Sequence, residues 1–204
     1  MKRKIRFKIP FYILLIALIP TVLFSLNSYT NKEKKKEEPS VLEEAEISYP
    51  VINENNNIIY PYANETVKIG KNYYDYKAEE KKQEDSLVIH DNTYYQNSGI
   101  DFVSEDSFDV LAIANGTVTN VKEDNVTGKT VEIKHDNGLI SIYQSLSEVS
   151  VKKDDIISQS QIIGKSGSNE LDKDLGNHIH LEIYENGISV NPEMYLGKKY
   201  EKKN

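Results

Sequence analysis

The chain has 204 residues, no cysteine and no tryptophan, and 25 basic against 32 acidic side chains. Without cysteine, disulfides, thiolate metal sites and cysteine nucleophiles are excluded. The acidic balance excludes a surface built to neutralise phosphate, on nucleic acid or on anionic lipid.

Charge is unevenly placed along the chain. Lys2, Arg3, Lys4, Arg6 and Lys8 crowd the first eight residues and residues 9–26 carry no charge, so the remainder holds 20 bases against 32 acids, a net of −12. Residues 9–26 (IPFYILLIALIPTVLFSL) would span about 27 Å as a helix at about 1.5 Å per residue, against a hydrocarbon thickness of roughly 30 Å. They are expected to form a transmembrane anchor, with the basic tail 1–8 held in the cytoplasm. Phe24, Ser25, Leu26 and Asn27 do not offer the small residues of a signal-peptide cut, so the anchor is expected to stay uncleaved. Pro20 inside the span is tolerated in a membrane helix.

Residues 27–86 read as a linker and irregular lead-in. The stretch to about residue 48 is too polar to bury an apolar face, and residues 79–86 (EEKKQEDS) suit a short surface helix or loop. From residue 87 to 197 the pattern becomes two-residue alternation with closely spaced turn signals, the mark of an all-β domain. Val110, Ala112 and Ala114 alternate, and Val118 and Val121 do so with a slip that suggests a bulge. Val131 and Ile133 alternate up to Asp136-Asn137-Gly138, where Asn-Gly suits a type I′ hairpin; Leu139, Ser141 and Tyr143 return. Glu185-Asn186-Gly187 is a second hairpin signal, and residues 198–204 form a charged tail.

On the last long strand His178, His180, Glu182 and Tyr184 share one face and Ile179, Leu181 and Ile183 the other. His178 and His180 then stand roughly 6–7 Å apart, a spacing at which one imidazole can bind a metal while its neighbour acts as acid, base or anion stabiliser. Upstream lie Ile162-Ile163-Gly164-Lys165-Ser166-Gly167, Tyr143-Gln144-Ser145-Leu146, Ala112 to Val118 and Gly99-Ile100-Asp101-Phe102. In this order and spacing, residues 95–196 resemble the lysostaphin/LytM-type zinc metallopeptidases of bacterial cell walls.

That resemblance implies a mainly β, LytM-type antiparallel sheet or sandwich, preceded here by one transmembrane helix and a polar linker. It implies three zinc ligands: the His and Asp of a His-x-Gly-x-Asp motif and the second His of His-x-His. A zinc-bound water of lowered pKa attacks the peptide bond, supported by the first His of His-x-His and by another in Tyr-x-His-Leu. Carried over residue by residue, Asp101, His178 and His180 are kept, while Asn97 and Ser145 stand where histidines belong. Two ligands do not make a catalytic zinc site, which needs three protein ligands and an open position. The expectation is therefore no bound cofactor and no catalysis.

The stretch Tyr143 to Val151, with Ile162 to Gly167 and Gly176-Asn177-His178, is similar to a sporulation group of the family in endospore formers. This implies a single-pass forespore membrane protein with its N-terminus in the forespore cytoplasm and its domain in the intermembrane space. The implied partner there is stage III sporulation protein AH with associated channel proteins, in support of engulfment and a transcellular channel; peptidoglycan is a further candidate ligand. Alternatives are a zinc-dependent peptidoglycan endopeptidase with an unusual ligand set and a regulator of a wall amidase. His90 and His135 read as ordinary strand or loop histidines, and the sequons at Asn64, Asn115 and Asn125 as chance. Tyr94, Tyr95 and Tyr143 would suit an interface, although strand tyrosines are first of all packing residues.

Overall fold

The computed structural model of the chain describes residues 57–200. In chain order these form β1 (Lys68–Lys71), α1 (Glu80–Asp85), β2 (Leu87–His90), β3 (Thr93–Gln96), β4 (Ile100–Val103), β5 (Asp109–Leu111), β6 (Gly116–Asp124), β7 (Gly128–His135), β8 (Leu139–Val149), β9 (Ile156–Ile157), β10 (Ile162–Ser166), β11 (His178–Glu185) and β12 (Ile188–Val190). Single-turn 3-10 helices lie at Lys173–Leu175 and Pro192–Met194. The main sheet runs β1-β4-β11-β8-β7-β6-β9, β12 extends it beside β11, and β10 joins β8 and carries β5. All these strands pair antiparallel, as do β2 and β3 in a separate hairpin. The expected mainly β, antiparallel domain is thus formed as one branching sheet.

The centre of the sheet explains its sequence. β11 lies between β4 and β8, so both its edges are hydrogen-bonded, and its first six residues are buried. Ile179, Leu181 and Ile183 enter the core with Phe102, Val131, Ile133 and Leu139. The alternate residues His178, His180 and Glu182 are buried too, on the face that carries the polar site. Tyr143 is fully buried and its phenol accepts a hydrogen bond from Ile113 N at 3.0 Å; burial pushes its pKa up to about 12. It is a core residue and not an interface tyrosine, whereas Tyr94 and Tyr95 are exposed.

The turns divide in an informative way. At Asn186-Gly187 both residues have positive φ, +52° and +79°, and Glu185 pairs with Ile188, a two-residue type I′ hairpin. At the 136–138 turn only Gly138 is left-handed, with φ +89°, and Gly138 N bonds His135 O at 2.9 Å. That is a three-residue loop with a glycine bulge, not the expected type I′ turn. The expected slip in β6 is present between Val118 and Asn120.

The lead-in is less irregular than its composition suggests. β1 pairs with β4, and Ile58 is 1% exposed in the core, bridging to Leu196. At the other end Ile58 N bonds Lys198 O, and the phenols of Tyr195 and Tyr200 both bond the Glu185 carboxylate. Among the described residues, Ile58, β1 and the segment from Tyr195 to Tyr200 thus pack with the domain, on both sides of the expected bounds 87–197. The sequence hides this because Ile58 and the tetrapeptide Lys68–Lys71 are too short to display a periodicity. α1 is the expected short surface helix, with no buried residue. No helix among the described residues is long and apolar enough to cross a membrane, and the expected anchor, residues 9–26, lies outside them.

Candidate functional site: a closed metal site

Two strands position the centre of the site. Asp101 on β4 is directly opposite His180 on β11, and their side chains meet, Asp101 Oδ1 to His180 Nδ1, at 2.9 Å. Gly99 makes this approach possible: a Cβ there would lie 2.2 Å from Leu181 O and 2.9 Å from His180 Cε1. On its other side His180 Nε2 lies 3.2 Å from Glu182 Oε1. The Glu182 carboxylate also receives the Ser98 hydroxyl and, at 2.9 Å, the Tyr184 phenol. Both ring nitrogens of His180 therefore face carboxylates.

Electrostatics follow from that geometry. Burial alone would lower the His180 pKa, but Asp101 and then Glu182 outweigh it and hold it well above the ordinary imidazole range. Burial would raise Glu182, but His180, Ser98 and Tyr184 hold it below the ordinary carboxylate range. A buried imidazolium clasped by two carboxylates is the consistent charge state.

Asn97 completes the centre. Its Nδ2 donates to Asp101 Oδ2 at 2.9 Å and to Asn72 O at 3.0 Å. Both partners are acceptors, so the nitrogen must be the atom facing Asp101. The residue at the position of the family's first zinc ligand thus presents a donor where a metal needs a lone pair.

The other two expected residues form a neighbouring pair. A register slip in the β7–β8 pairing and a left-handed φ of +66° turn Ser145 inward. Its hydroxyl lies 2.9 Å from His178 Nε2 and accepts from Asn169 Nδ2 at 2.8 Å. His178 Nδ1 lies 2.9 Å from Gly176 O. A carbonyl only accepts, so Nδ1 carries a proton and Nε2 can accept from Ser145. Ser145 and His178 are both fully buried, so this pair presents no reactive atom to a substrate.

Catalytic zinc requires three converging lone pairs and one open position. Here His180 is engaged at both nitrogens and Asn97 offers N–H, and among the described residues no group of three His, Cys, Asp or Glu side chains is placed to hold a metal. The residues do not fit the metal that the fold family implies. The space left is about 170 Å³, lined by Asn97, Asp101, Gln144, Asn169, His180 and Glu182 among others.

The family resemblance grouped Asn97, Asp101 and His180 as ligand positions and Ser145 and His178 as auxiliary ones, and it did not include Glu182 or Asn169. Glu182 could have been found, because it shares the strand face of the two histidines. Asn169 could not, because it sits in a loop without periodicity. His90, at the tip of the β2–β3 hairpin, lies 3.4 Å from Asp91 and makes no contact with the centre. His135 is buried between Asn115 O and Ser141 Oγ, at 3.0 and 2.7 Å, and burial lowers its pKa to about 4; it is structural.

The profile of peptidase family M23 matches residues 95–192. The chain is 43% identical over 136 residues to stage II sporulation protein Q of Bacillus subtilis, covering 66% of this chain and 48% of that protein, so it spans about half the length of this relative. Two solved structures are 41% identical to it. One, of a SpoIIQ–SpoIIIAH pore-forming complex, has a TM-score of 0.68 over 70% of this chain and 92% of the other. The second, of a SpoIIIAH and SpoIIQ complex, has a TM-score of 0.66 over 69% of this chain and all of the other. By these matches residues 95–192 carry a peptidase family M23 domain, and the chain is similar to stage II sporulation protein Q.

Proposed function

We propose that this chain is a non-catalytic, single-pass sporulation membrane protein whose M23 domain binds a partner across an intermembrane space. The partner is a SpoIIIAH-type protein anchored in the opposite membrane, and the pair serves engulfment and a transcellular channel. The observation that carries the non-catalytic reading is the His180 clasp: both imidazole nitrogens face carboxylates, and Asn97 donates to Asp101. The 41% identity to the SpoIIQ structures solved with SpoIIIAH supports the choice of partner. The uncharged run 9–26 behind five basic residues supports a membrane anchor with the domain outside, and the similarity to stage II sporulation protein Q supports the forespore as its place.

The test is a pulldown of the full-length chain with the extracytoplasmic domain of a SpoIIIAH-type protein, with zinc measured in the same preparation. A stable complex with zinc well below one per chain is expected. Stoichiometric zinc, together with peptidoglycan hydrolysis that His180→Ala abolishes, would establish the endopeptidase reading instead. Absence of a complex would remove the partner assignment.

A further inference from the structure

The chain contains three Asn-Gly pairs, Asn115-Gly116, Asn137-Gly138 and Asn186-Gly187. Such a pair can react with itself. The glycine nitrogen, after losing its proton to hydroxide, attacks the asparagine Cγ. A Cγ–N bond forms, the Cγ–Nδ2 bond breaks, and ammonia leaves with the proton supplied by water. Water then opens the five-membered imide at either carbonyl, giving aspartate or isoaspartate. No oxidant or reductant is involved. Two groups must be free for this: the side-chain amide and the following backbone N–H.

The folded chain treats the three pairs differently. Asn115 Oδ1 accepts from Gln159 N at 2.7 Å, and Gly116 is buried between β7 and β9. Asn137 Oδ1 accepts from Leu139 N at 3.0 Å, and Gly138 N is held by His135 O at 2.9 Å. At the third pair both residues are exposed. The turn bond closes between Glu185 and Ile188 and skips Gly187 N, and among the described residues the Asn186 amide has no hydrogen bond. A Cβ at Gly187 would meet nothing within 4 Å, so the tip has room to reach the reactive geometry.

We infer that Asn186 is a site of spontaneous deamidation and isoaspartate formation, with water as co-reactant, and that the fold protects Asn115 and Asn137 from the same reaction. The consequence is not confined to the tip. Isoaspartate inserts one carbon into the backbone between β11 and β12. β12 holds Ser98 O through the Ser189 hydroxyl at 2.9 Å, and the Ser98 hydroxyl reaches Glu182. The modified turn lies two contacts from the His180 clasp.

The test is to hold the full-length folded chain at neutral and at mildly alkaline pH. Amide-to-acid conversion and isoaspartate are then counted at each pair by peptide mapping. Residue 186 should convert on the order of tenfold faster than residue 137 or 115, the factor set by the hydrogen bonds those sites must break. The rate should rise with pH, and Asn186→Gln should remove the dominant isoaspartate signal. In denaturant the three rates should draw together. Equal rates in the folded chain, a faster rate at 115 or 137, or the same ranking with and without denaturant would each overturn the inference.

Discussion

At the scale of single residues the site is governed by one imidazole. In a zinc-binding relative the metal supplies positive charge between the aspartate and the histidine. In this chain the charge between Asp101 and Glu182 is carried by His180 itself, and Asn97 adds a dipole with its donor end towards Asp101. This sets the pH dependence of stability. The folded pKa of His180 is raised from 6.5 to about 10, so its contribution is full below 6.5 and is lost as pH rises through about 10. Glu182 is lowered from 4.5 to about 2, so its contribution is present above 4.5 and is lost as pH falls through about 2. Denaturant midpoints of the chain and of His180→Gln, measured across pH, should differ most between those unfolded values and converge on both sides. A difference that stays constant up to pH 10 would rule out the clasped imidazolium.

At the scale of elements, turns and close approaches decide which positions tolerate change. Gly138 has φ +89° while Asn137 does not enter the left-handed region. Gly138→Ala should therefore cost about 1–2 kcal/mol in urea unfolding, against about 1 kcal/mol for Asn137→Ala, which loses only the bond to Leu139 N. Equal costs at the two positions would mean the turn is type I′ after all. Gly99→Ala should be worse than either, because the added carbon meets backbone at 2.2 Å, which no rotamer relieves. These contrasts mark what the sequence could reveal. Alternation placed β6, β7, β8 and β11 and put His178, His180 and Glu182 on one face, because each of these strands is long enough for its period to be read. The choice between turn types was not legible, since Asn-Gly serves both and the register of the flanking strands decides. Nor was the Asn169–Ser145 bond, which depends on a bulge and a loop meeting from distant parts of the chain.

At the scale of the whole molecule, described residues before 87 take part in the folded body. Composition placed the boundary at residue 87, after a charged stretch. The structure instead uses residues before it at three places. Ile58 fills the core beside Leu196, β1 forms the edge of the main sheet on β4, and Lys71 is paired with Asp172 while its ammonium donates to Leu87 O at 2.9 Å. Asn97, at the site itself, donates to Asn72 O and accepts from Tyr74 N. Removing residues 57–86 would expose β4, leave Asp172 as an unpaired buried carboxylate and strip Asn97 of the acceptor that fixes its orientation. Loss of Ile58 burial alone costs about 1.5–3 kcal/mol, and breaking a buried ion pair by deleting one partner costs about 3–5 kcal/mol. Together these approach the whole stability of a domain, about 5–15 kcal/mol. A chain beginning at residue 57 should unfold cooperatively. One beginning at residue 87 should show no cooperative transition and no binding to a SpoIIIAH-type partner. A cooperative transition in the shorter chain would place β1 and the Ile58 segment outside the folding unit.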